Sequence, residues 1–321
     1  MTVLSASTWR GRRAAHEARV DRWIRPHLDR RRLGRKHPVE DFLFTYYSHR
    51  PAQLRRWHPG AGVELVGADP ADLGRDYVRT PDGATVDTDA VVARRRESLL
   101  WIRDLLVATA SRPAQFTCFG MHEWAMVYRQ PQPEVRHSAF PLRLGPAGTA
   151  DVVDRTTVRC THFDAYRFFT PAARPLNLVE PTRDRQPELE QPGCLHANMD
   201  VYRWAYKLSP LGPSETVADC FELAREIRTL DMRASPYDLT ELGLTPVPVE
   251  TADGRAEYVA HQRDFARRAA RLRDRLVALL SPLAGAMTRV APGGQGCQNG
   301  GVSSSVSAAA PAGGGGGGGW G

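Results

Sequence analysis

Lysine is almost absent from this sequence. Of its 43 basic residues only Lys36 and Lys207 are lysines, and the rest are arginines. Such a bias fits a GC-rich genome as readily as a selected ligand, so the arginine content alone identifies no partner. The position of the charge is more informative, because residues 1–36 contain 11 basic and 3 acidic residues while the rest of the chain is close to neutral. This segment predicts either a phosphate-binding arm or a solvated helix.

Long apolar runs are also missing. No run approaches the roughly 20 residues that a membrane-spanning helix needs, and the first residues lack the apolar core of a secretory signal. The five cysteines form an odd set in a chain of 321 residues, which argues against a framework of disulfides. We therefore expect reduced thiols, a cytoplasmic location and no membrane contact.

The short motifs of several enzyme classes do not occur. The sequence has no HExxH, no paired CxxC, no GxSxG, no GxxxxGK[ST] and no GxGxxG after a strand. These absences disfavour nucleotide hydrolysis on a P-loop and redox chemistry on a dinucleotide fold.

Apolar periodicity predicts an α+β protein that is predominantly helical, with a small β element and a single compact domain. Long helices are expected over residues 8–32, after Asp87 or Thr88, and over the segment ADGRAEYVAHQRDFARRAARLRDRLVALL, which has an apolar stripe at helical spacing. A Pro-Asp-Gly turn between Val78 and Val86 predicts a hairpin. We divide the chain into a basic helical arm (1–36), a globular domain (37–290) and a Gly/Ser/Ala-rich tail (291–321) that we expect to be disordered.

Three separate segments of the central region present a thiol, an imidazole and a carboxylate close together. They are Cys118, His122 and Glu123; Cys160, His162 and Asp164; and Cys194, His196 and Asp200. Alternation along an extended segment would place Cys160, His162 and Asp164 on one face. Helical spacing would place His196, Asp200 and Lys207 along one stripe. Buried histidines bonded to neighbouring acids would give the same pattern without any reaction.

Imidazole and carboxylate groups on neighbouring elements are common ligands of zinc, manganese and iron. The candidate ligands are His122, His162, Asp164, His196 and Asp200. Their spacing is not diagnostic of a metal, so our first expectation is that the protein uses no cofactor and no metal.

Aromatic residues are dense in the same region, and several alternate with arginine. Rings beside cationic groups are typical of a pocket for an extruded nucleobase, although an amphipathic helix packed in a core has the same spacing. The candidate base-binding residues are Trp124, Tyr128, Phe163, Tyr166, Tyr202 and Trp204.

The segments HPVEDFLFTYYSHRP, THFDAYRFFTP, QPGCLHANMDVYRWAYKLSP and LDMRASPYDL resemble proteins of GC-rich bacteria that are named 3-methyladenine DNA glycosylase. The resemblance covers roughly residues 8–285. It implies a DNA partner and base-excision repair of alkylation damage, in which the N-glycosidic bond of an alkylated purine is hydrolysed. The chain departs from helix-hairpin-helix glycosylases, because it lacks their glycine-rich hairpin followed by a catalytic aspartate.

The resemblance assigns no catalytic residue, so the candidates depend on spacing alone. Asp164 or Asp200 would orient water or stabilise the sugar cation, and His162 or His196 would position that carboxylate. Lys207 is an alternative nucleophile. Two other functions stay open, namely a metal-dependent hydrolase that uses the ligands named above and a nucleic-acid-binding protein without catalysis.

Overall fold

The computed structural model describes residues 1–283, so the disorder expected for residues 291–321 lies outside the described residues. The strands are β1 (Thr2–Leu4), β2 (Val63–Val66), β3 (Tyr77–Arg79) and β4 (Gly83–Val86). The helices are α1 (Ala6–Arg32), α2 (Phe42–Tyr46), α3 (Pro51–Arg55), α4 (Pro70–Leu73), α5 (Thr88–Ala110), α6 (Met121–Ala125), α7 (Gly145–Arg155), α8 (Phe163–Tyr166), α9 (Gln186–Leu189), α10 (Leu195–Met199), α11 (Val201–Lys207), α12 (Ser214–Arg233) and α13 (Ala252–Leu280). The expected α+β class is confirmed, with one small sheet in a mostly helical domain.

The sheet has the strand order β1-β2-β4-β3. β1 pairs with β2 in parallel, whereas β4 is antiparallel to both β2 and β3. The expected hairpin is formed by β3 and β4. The first residue of β4 is Gly83. A Cβ atom there would lie 1.9 Å from the backbone oxygen of Leu65 on β2, so only glycine allows the two strands to approach this closely.

Helix α12 lies at the centre of the helical body. It contacts α1, α2, α3, α10, α11 and α13. More than half of its residues are buried, and they include the polar side chains of Arg228 and Asp231. A helix that is buried on most sides is normally apolar, so these two charged residues indicate a polar centre inside the body.

The basic segment 1–36 does not form a separate arm. β1 pairs with β2, and α1 buries Trp9, Val20, Trp23 and Ile24 in the main core. Arg19 also bonds Asp219 and Glu222 on α12. The division at residue 36 is therefore corrected, because α1 needs the rest of the domain to cover its apolar side.

Two central segments differ from the predicted elements. Residues 121–129 have helical apolar spacing, but α6 ends at Ala125, and Phe119 and Arg129 on either side of it have φ of 46° and 57°. The segment around Thr161 was expected to be extended, but residues 163–166 form the short helix α8. Among the described residues, no helix combines the length and the apolar character required to cross a membrane.

Candidate metal centre

His122, His196 and Asp231 form a buried triad. His122 belongs to α6, His196 to α10 and Asp231 to α12. Each offers one ligand atom, and these atoms all lie within 4.8 Å of one another. Two imidazoles and one carboxylate make a ligand set that both zinc hydrolases and non-haem iron enzymes use.

Two atoms of this triad lack hydrogen-bond partners although they are close together. Nε2 of His122 lies 2.8 Å from Oδ1 of Asp231, but neither atom has a hydrogen bond among the described residues. Their orientation therefore departs from that of a hydrogen bond. Ligand atoms on one tetrahedral ion lie about 3.3 Å apart and both face the ion rather than each other, so this pair could share an ion after a small outward movement.

A second buried triad consists of His162, Glu190 and Asp200. His162 precedes α8, Glu190 follows α9 and Asp200 joins α10 to α11. Nε2 of His162 lies 3.3 Å from Oε1 of Glu190 and 3.3 Å from Oδ2 of Asp200. Its Nδ1 atom is buried and has no hydrogen-bond partner among the described residues.

The two triads adjoin at His196. Its ring centroid lies 4.4 Å from that of His122 and 5.4 Å from that of His162. The six side chains therefore form a single buried cluster, which we call the histidine–carboxylate centre: His122, His162, Glu190, His196, Asp200 and Asp231.

Other side chains hold the outward oxygen of each carboxylate. Tyr47 donates to Oδ1 of Asp200 at 2.7 Å, Thr109 donates to Oε2 of Glu190 at 3.4 Å, and Arg228 donates to Oδ2 of Asp231 at 2.9 Å. The other oxygen of each carboxylate faces a histidine, although that of Glu190 also accepts from Gln186 at 2.7 Å and that of Asp200 lies 3.3 Å from Nη1 of Arg203. Metal-ligating carboxylates are oriented by surrounding donors in the same way.

The backbone at three positions fixes the elements that carry the histidines. Phe119 and Gly120, which directly precede α6, both have positive φ, and such a conformation is uncommon and costly for a non-glycine residue. Gly193 lies just before α10, and a Cβ atom there would be 2.3 Å from the backbone oxygen of Gln115. A strained backbone therefore precedes His122, and a close approach between two backbone segments precedes His196.

Electrostatics favour a cation in the centre. Of four buried carboxylates, Glu123 and Asp231 share Arg228, Asp200 pairs with Arg203, and Glu190 has no arginine ion pair among the described residues. Burial of unbalanced negative charge is costly. Protons on the histidines or a bound metal ion would restore the balance.

The pKa shifts show how protons balance this charge when no ion is bound. Burial alone would lower the pKa of His162, but its bonds to Asp200 and Glu190 raise that pKa to about 9. Burial also opposes protonation of His122, yet Asp231 raises the pKa of His122 well above its usual value. Burial and the neighbouring His122 lower the pKa of His196. His196 is therefore neutral at neutral pH, and a neutral imidazole is the form that binds metals.

The cysteines that precede the three histidines lie around one small cavity. Cys118, Cys160 and Cys194 line it together with His122 and His196, and its volume of ≈ 10 Å³ leaves room for about one water molecule or ion. Sγ of Cys118 lies 3.9 Å from Nδ1 of His122. Burial raises the pKa of Cys160 and of Cys194, so both remain thiols and are poor nucleophiles.

The structure brings together four of the sequence candidates, His122, His162, His196 and Asp200, but it leaves Asp164 outside the centre. Helix α8 turns Asp164 towards Arg203, whose Nη1 lies 2.7 Å from Oδ2 of Asp164 and 3.3 Å from Oδ2 of Asp200. The expectation that Asp164 and His162 share a face is wrong, because it required an extended strand at this position. Lys207 is exposed and lies over the ring of Trp204.

The candidate base-binding rings lie mostly inside the core. Trp124, Tyr128, Tyr202 and Trp204 are at most 4% exposed. The hydroxyl of Tyr202 bonds His49, and that of Tyr128 bonds Asp154. Only Phe163 and Tyr166 are partly exposed. The cavity beside the histidines is also too small for a purine.

Sequence reasoning missed Glu190 and Asp231. Asp231 carried a usable signal, since it follows Ile227 by one helical turn on the apolar side of α12, where an acid is costly unless it has a partner. Glu190 gave no such signal, because it lies in a proline-rich connection. Comparison with family models, with curated proteins and with solved structures finds no match to this chain.

Proposed function

We propose that this protein is a metal-dependent hydrolase that acts on a small substrate. The observation that carries the proposal is the pair of ligand atoms on His122 and Asp231, which lie 2.8 Å apart without the geometry of a hydrogen bond, with neutral His196 beside them. An ion held by these three residues would lower the pKa of a bound water to near neutrality and supply the nucleophile.

His162 has the properties of the acid that protonates the leaving group. Its raised pKa keeps a proton on the ring at neutral pH, and the unpartnered Nδ1 is the nitrogen that is left to donate. Glu190 and Asp200 hold the opposite nitrogen and stabilise the charged ring. A metal-bound water as nucleophile and an imidazolium as acid divide the two proton transfers of hydrolysis between separate groups.

The side chains that line the small cavity beside the histidines limit the substrate. Arg159, Thr161 and Gln191 line this cavity together with the thiols. Arg159 is exposed and brings a positive charge to the cavity. An arginine here favours an anionic substrate. We place this activity in the reducing cytoplasm, where the thiols would stay free.

Metal analysis of the purified protein tests the proposal. We expect about one zinc, manganese or iron ion per chain in the wild type, loss of that ion in His196→Ala, and retention of it in His162→Asn. Hydrolysis of p-nitrophenyl acetate or p-nitrophenyl phosphate should decrease in both variants. His261→Ala, an exposed histidine on α13, is the control for general effects. Trace metal in the wild type, or equal metal in wild type and His196→Ala, would refute the proposal.

A groove near the end of α1 favours a second function, the removal of alkylated purines from DNA. Its volume is ≈ 610 Å³, and Phe42 and Phe140 line it beside Arg31, Arg35 and Arg136. Partly exposed rings beside cations fit an extruded cationic base and its flanking phosphates. The groove also contains Asp41, although Arg30 and His27 bond its carboxylate.

A glycosylase assay separates this function from binding alone. The substrate is duplex DNA that contains one methylated adenine, and the expected product is an abasic site that Phe42→Ala and Arg136→Gln both reduce. Tight, salt-sensitive binding without an abasic product would instead indicate a nucleic-acid-binding protein without catalysis. If neither DNA binding nor an abasic product is observed, the second function is refuted.

A further inference from the structure

A second cavity, separate from the histidine–carboxylate centre, collects cations that have no carboxylate partners. Its volume is ≈ 510 Å³, which is within the range of small-molecule sites. Arg56, Arg95 and Lys207 line it. Within residues 1–283, no carboxylate forms an ion pair with any of these three. The two cavities have no lining residue in common.

The one carboxylate that lines this cavity is already occupied. Asp76 accepts from Arg94 at 2.7 Å and lies 3.8 Å from Arg75. It favours the charge of Arg95 from a distance, but it forms no ion pair with Arg56, Arg95 or Lys207. Three cations without an ion-pair partner around one concave surface repel each other, and an anion in the cavity would relieve that repulsion.

The surroundings of Lys207 are consistent with such repulsion. Partial burial lowers its pKa, and the positive charges of Arg203 and Arg95 lower it further. Arg95 is anchored through Nη1 to the backbone oxygen of Ser209 at 2.8 Å, so its guanidinium is held near Lys207 rather than extended into solvent. Lys207 is also one of only two lysines in the chain, and its ammonium binds phosphate as a compact point charge.

Uncharged aromatic rings complete the walls. His49 stacks on Tyr206 with centroids 4.5 Å apart, and His58 stacks on Tyr77 at 5.9 Å. Burial lowers the pKa of His49 and of His58 to about 4, so both rings are neutral at neutral pH. Cations beside neutral stacked rings suit a ligand that has both an anionic group and a flat ring.

We propose that this cavity binds a phosphate-bearing small molecule of nucleotide size, with its phosphate on Arg56, Arg95 and Lys207. Phosphate oxygens accept several charge-assisted hydrogen bonds at once, and arginine and lysine are their usual donors. The site needs no metal ion, so it is independent of the hydrolase function proposed above.

Calorimetric titration with adenosine monophosphate as the probe tests this inference, with adenosine and inorganic phosphate as matched ligands. We expect the nucleotide to bind more tightly than adenosine, and Lys207→Met and Arg56→Gln to weaken nucleotide binding by about tenfold or more without changing the weak binding of adenosine. Both residues are exposed, so the variants should fold. Arg155→Gln, on the outer face of α7, is the control for loss of one positive charge.

Several results would overturn the proposal. They are equal binding of nucleotide and adenosine, unchanged affinity in Lys207→Met and Arg56→Gln, absence of nucleotide binding, or binding of duplex DNA alone. The His196→Ala variant, which lacks a metal ligand, should still bind the nucleotide. Loss of binding there would assign the phosphate to the metal ion instead.

Discussion

At the scale of single residues, protons and a metal ion compete for the histidine–carboxylate centre. Without an ion, His122 and His162 balance the buried acids only while they are protonated. Metal ligands must instead be neutral imidazoles and ionised carboxylates. The same residues therefore support either a proton-balanced or a metal-balanced centre, and pH shifts the choice.

His162 gives the metal-free protein a specific pH dependence. Its pKa is about 9 in the folded chain against the ordinary value of 6.5, so folding is favoured by the bound proton. That stabilisation is fully present below pH 6.5 and is lost as the pH rises through 9, and it amounts to about 3 kcal/mol. Urea unfolding of chelator-treated protein measures this effect. As the pH rises from 6.5 through 9, the unfolding free energy should fall less in His162→Asn than in the wild type.

The control for this prediction is His261→Asn on α13, which should keep the wild-type slope. The comparison concerns the slope and not the absolute stability, because removal of His162 also leaves Glu190 and Asp200 without it. Identical slopes in wild type and His162→Asn would show that this ring holds no extra proton in the folded state.

Arg228 has a different role, since it neutralises two buried acids. It lies 2.7 Å from Glu123 and 2.9 Å from Asp231, and all three residues are at most 5% exposed. Arg228→Met should cost about 3–5 kcal/mol in unfolding free energy, because a buried charge without its partner is strongly destabilising. Arg225 is on the same helix as Arg228 and forms a half-buried ion pair with Glu40. Arg225→Met should cost less than about 1 kcal/mol in unfolding free energy. Equal losses in the two variants would contradict this account.

At the scale of elements, α1 combines a basic outer face with an apolar inner face. Its buried residues contact α12 and α3, while Arg10, Arg13, Arg22 and Arg25 are exposed. Its positive charge is therefore presented to solvent by a helix that the core holds in place. This arrangement is compatible with phosphate contacts but does not allow the segment to be removed without exposing the core.

Two substitutions on α1 test that conclusion. Ile24 is 4% exposed and Leu28, one turn later, is 43% exposed. Ile24→Ala should lower the unfolding free energy by about 2–5 kcal/mol, because it leaves a cavity in the core, whereas Leu28→Ala should change it by less than about 0.5 kcal/mol. Urea unfolding measures both. A similar small effect for the two would mean that α1 is an independent arm after all.

Local patterns predicted the elements that are long or contain a strong turn. The Pro-Asp-Gly turn gave the β3–β4 hairpin, and the apolar stripe after Asp87 gave α5, which Asp87 caps through Ala90. Short elements were less predictable. The extended segment expected around Thr161 is interrupted by α8, and the helical spacing after Gly120 gives a helix only as far as Ala125, because backbone conformation there is set by tertiary contacts rather than by periodicity.

The candidate site was predictable only where the side chains were conspicuous. The histidines stood out because each follows a cysteine and precedes an acid. Their convergence depends on how α6, α10 and α12 pack, and periodicity gives no information on contacts between distant segments. The break at Asp200 between α10 and α11 sends His196 into the centre and Lys207 to the other cavity, although helical spacing predicted a single stripe.

At the scale of the whole molecule, the centre joins segments that are far apart in the chain. Its six residues come from positions 122 to 231 and lie between α12, α13 and the short helices. An ion bound to His122, His196 and Asp231 would tie α6, α10 and α12 together. Metal binding and folding should therefore be coupled, since the unfolded chain does not preform the site.

Thermal unfolding with and without added zinc tests this coupling. At a free zinc concentration 100 times the dissociation constant, the wild type should gain about 2.7 kcal/mol, and Asp231→Asn and His196→Ala should gain little. Asp264→Asn, at an exposed acid that pairs with Arg267 and Arg268, should keep the full gain. The gain should increase with pH, because zinc displaces the proton that the raised pKa of His122 holds on this ligand. A gain that is independent of pH, or equal in Asp231→Asn and the wild type, would show that zinc binds elsewhere on the chain.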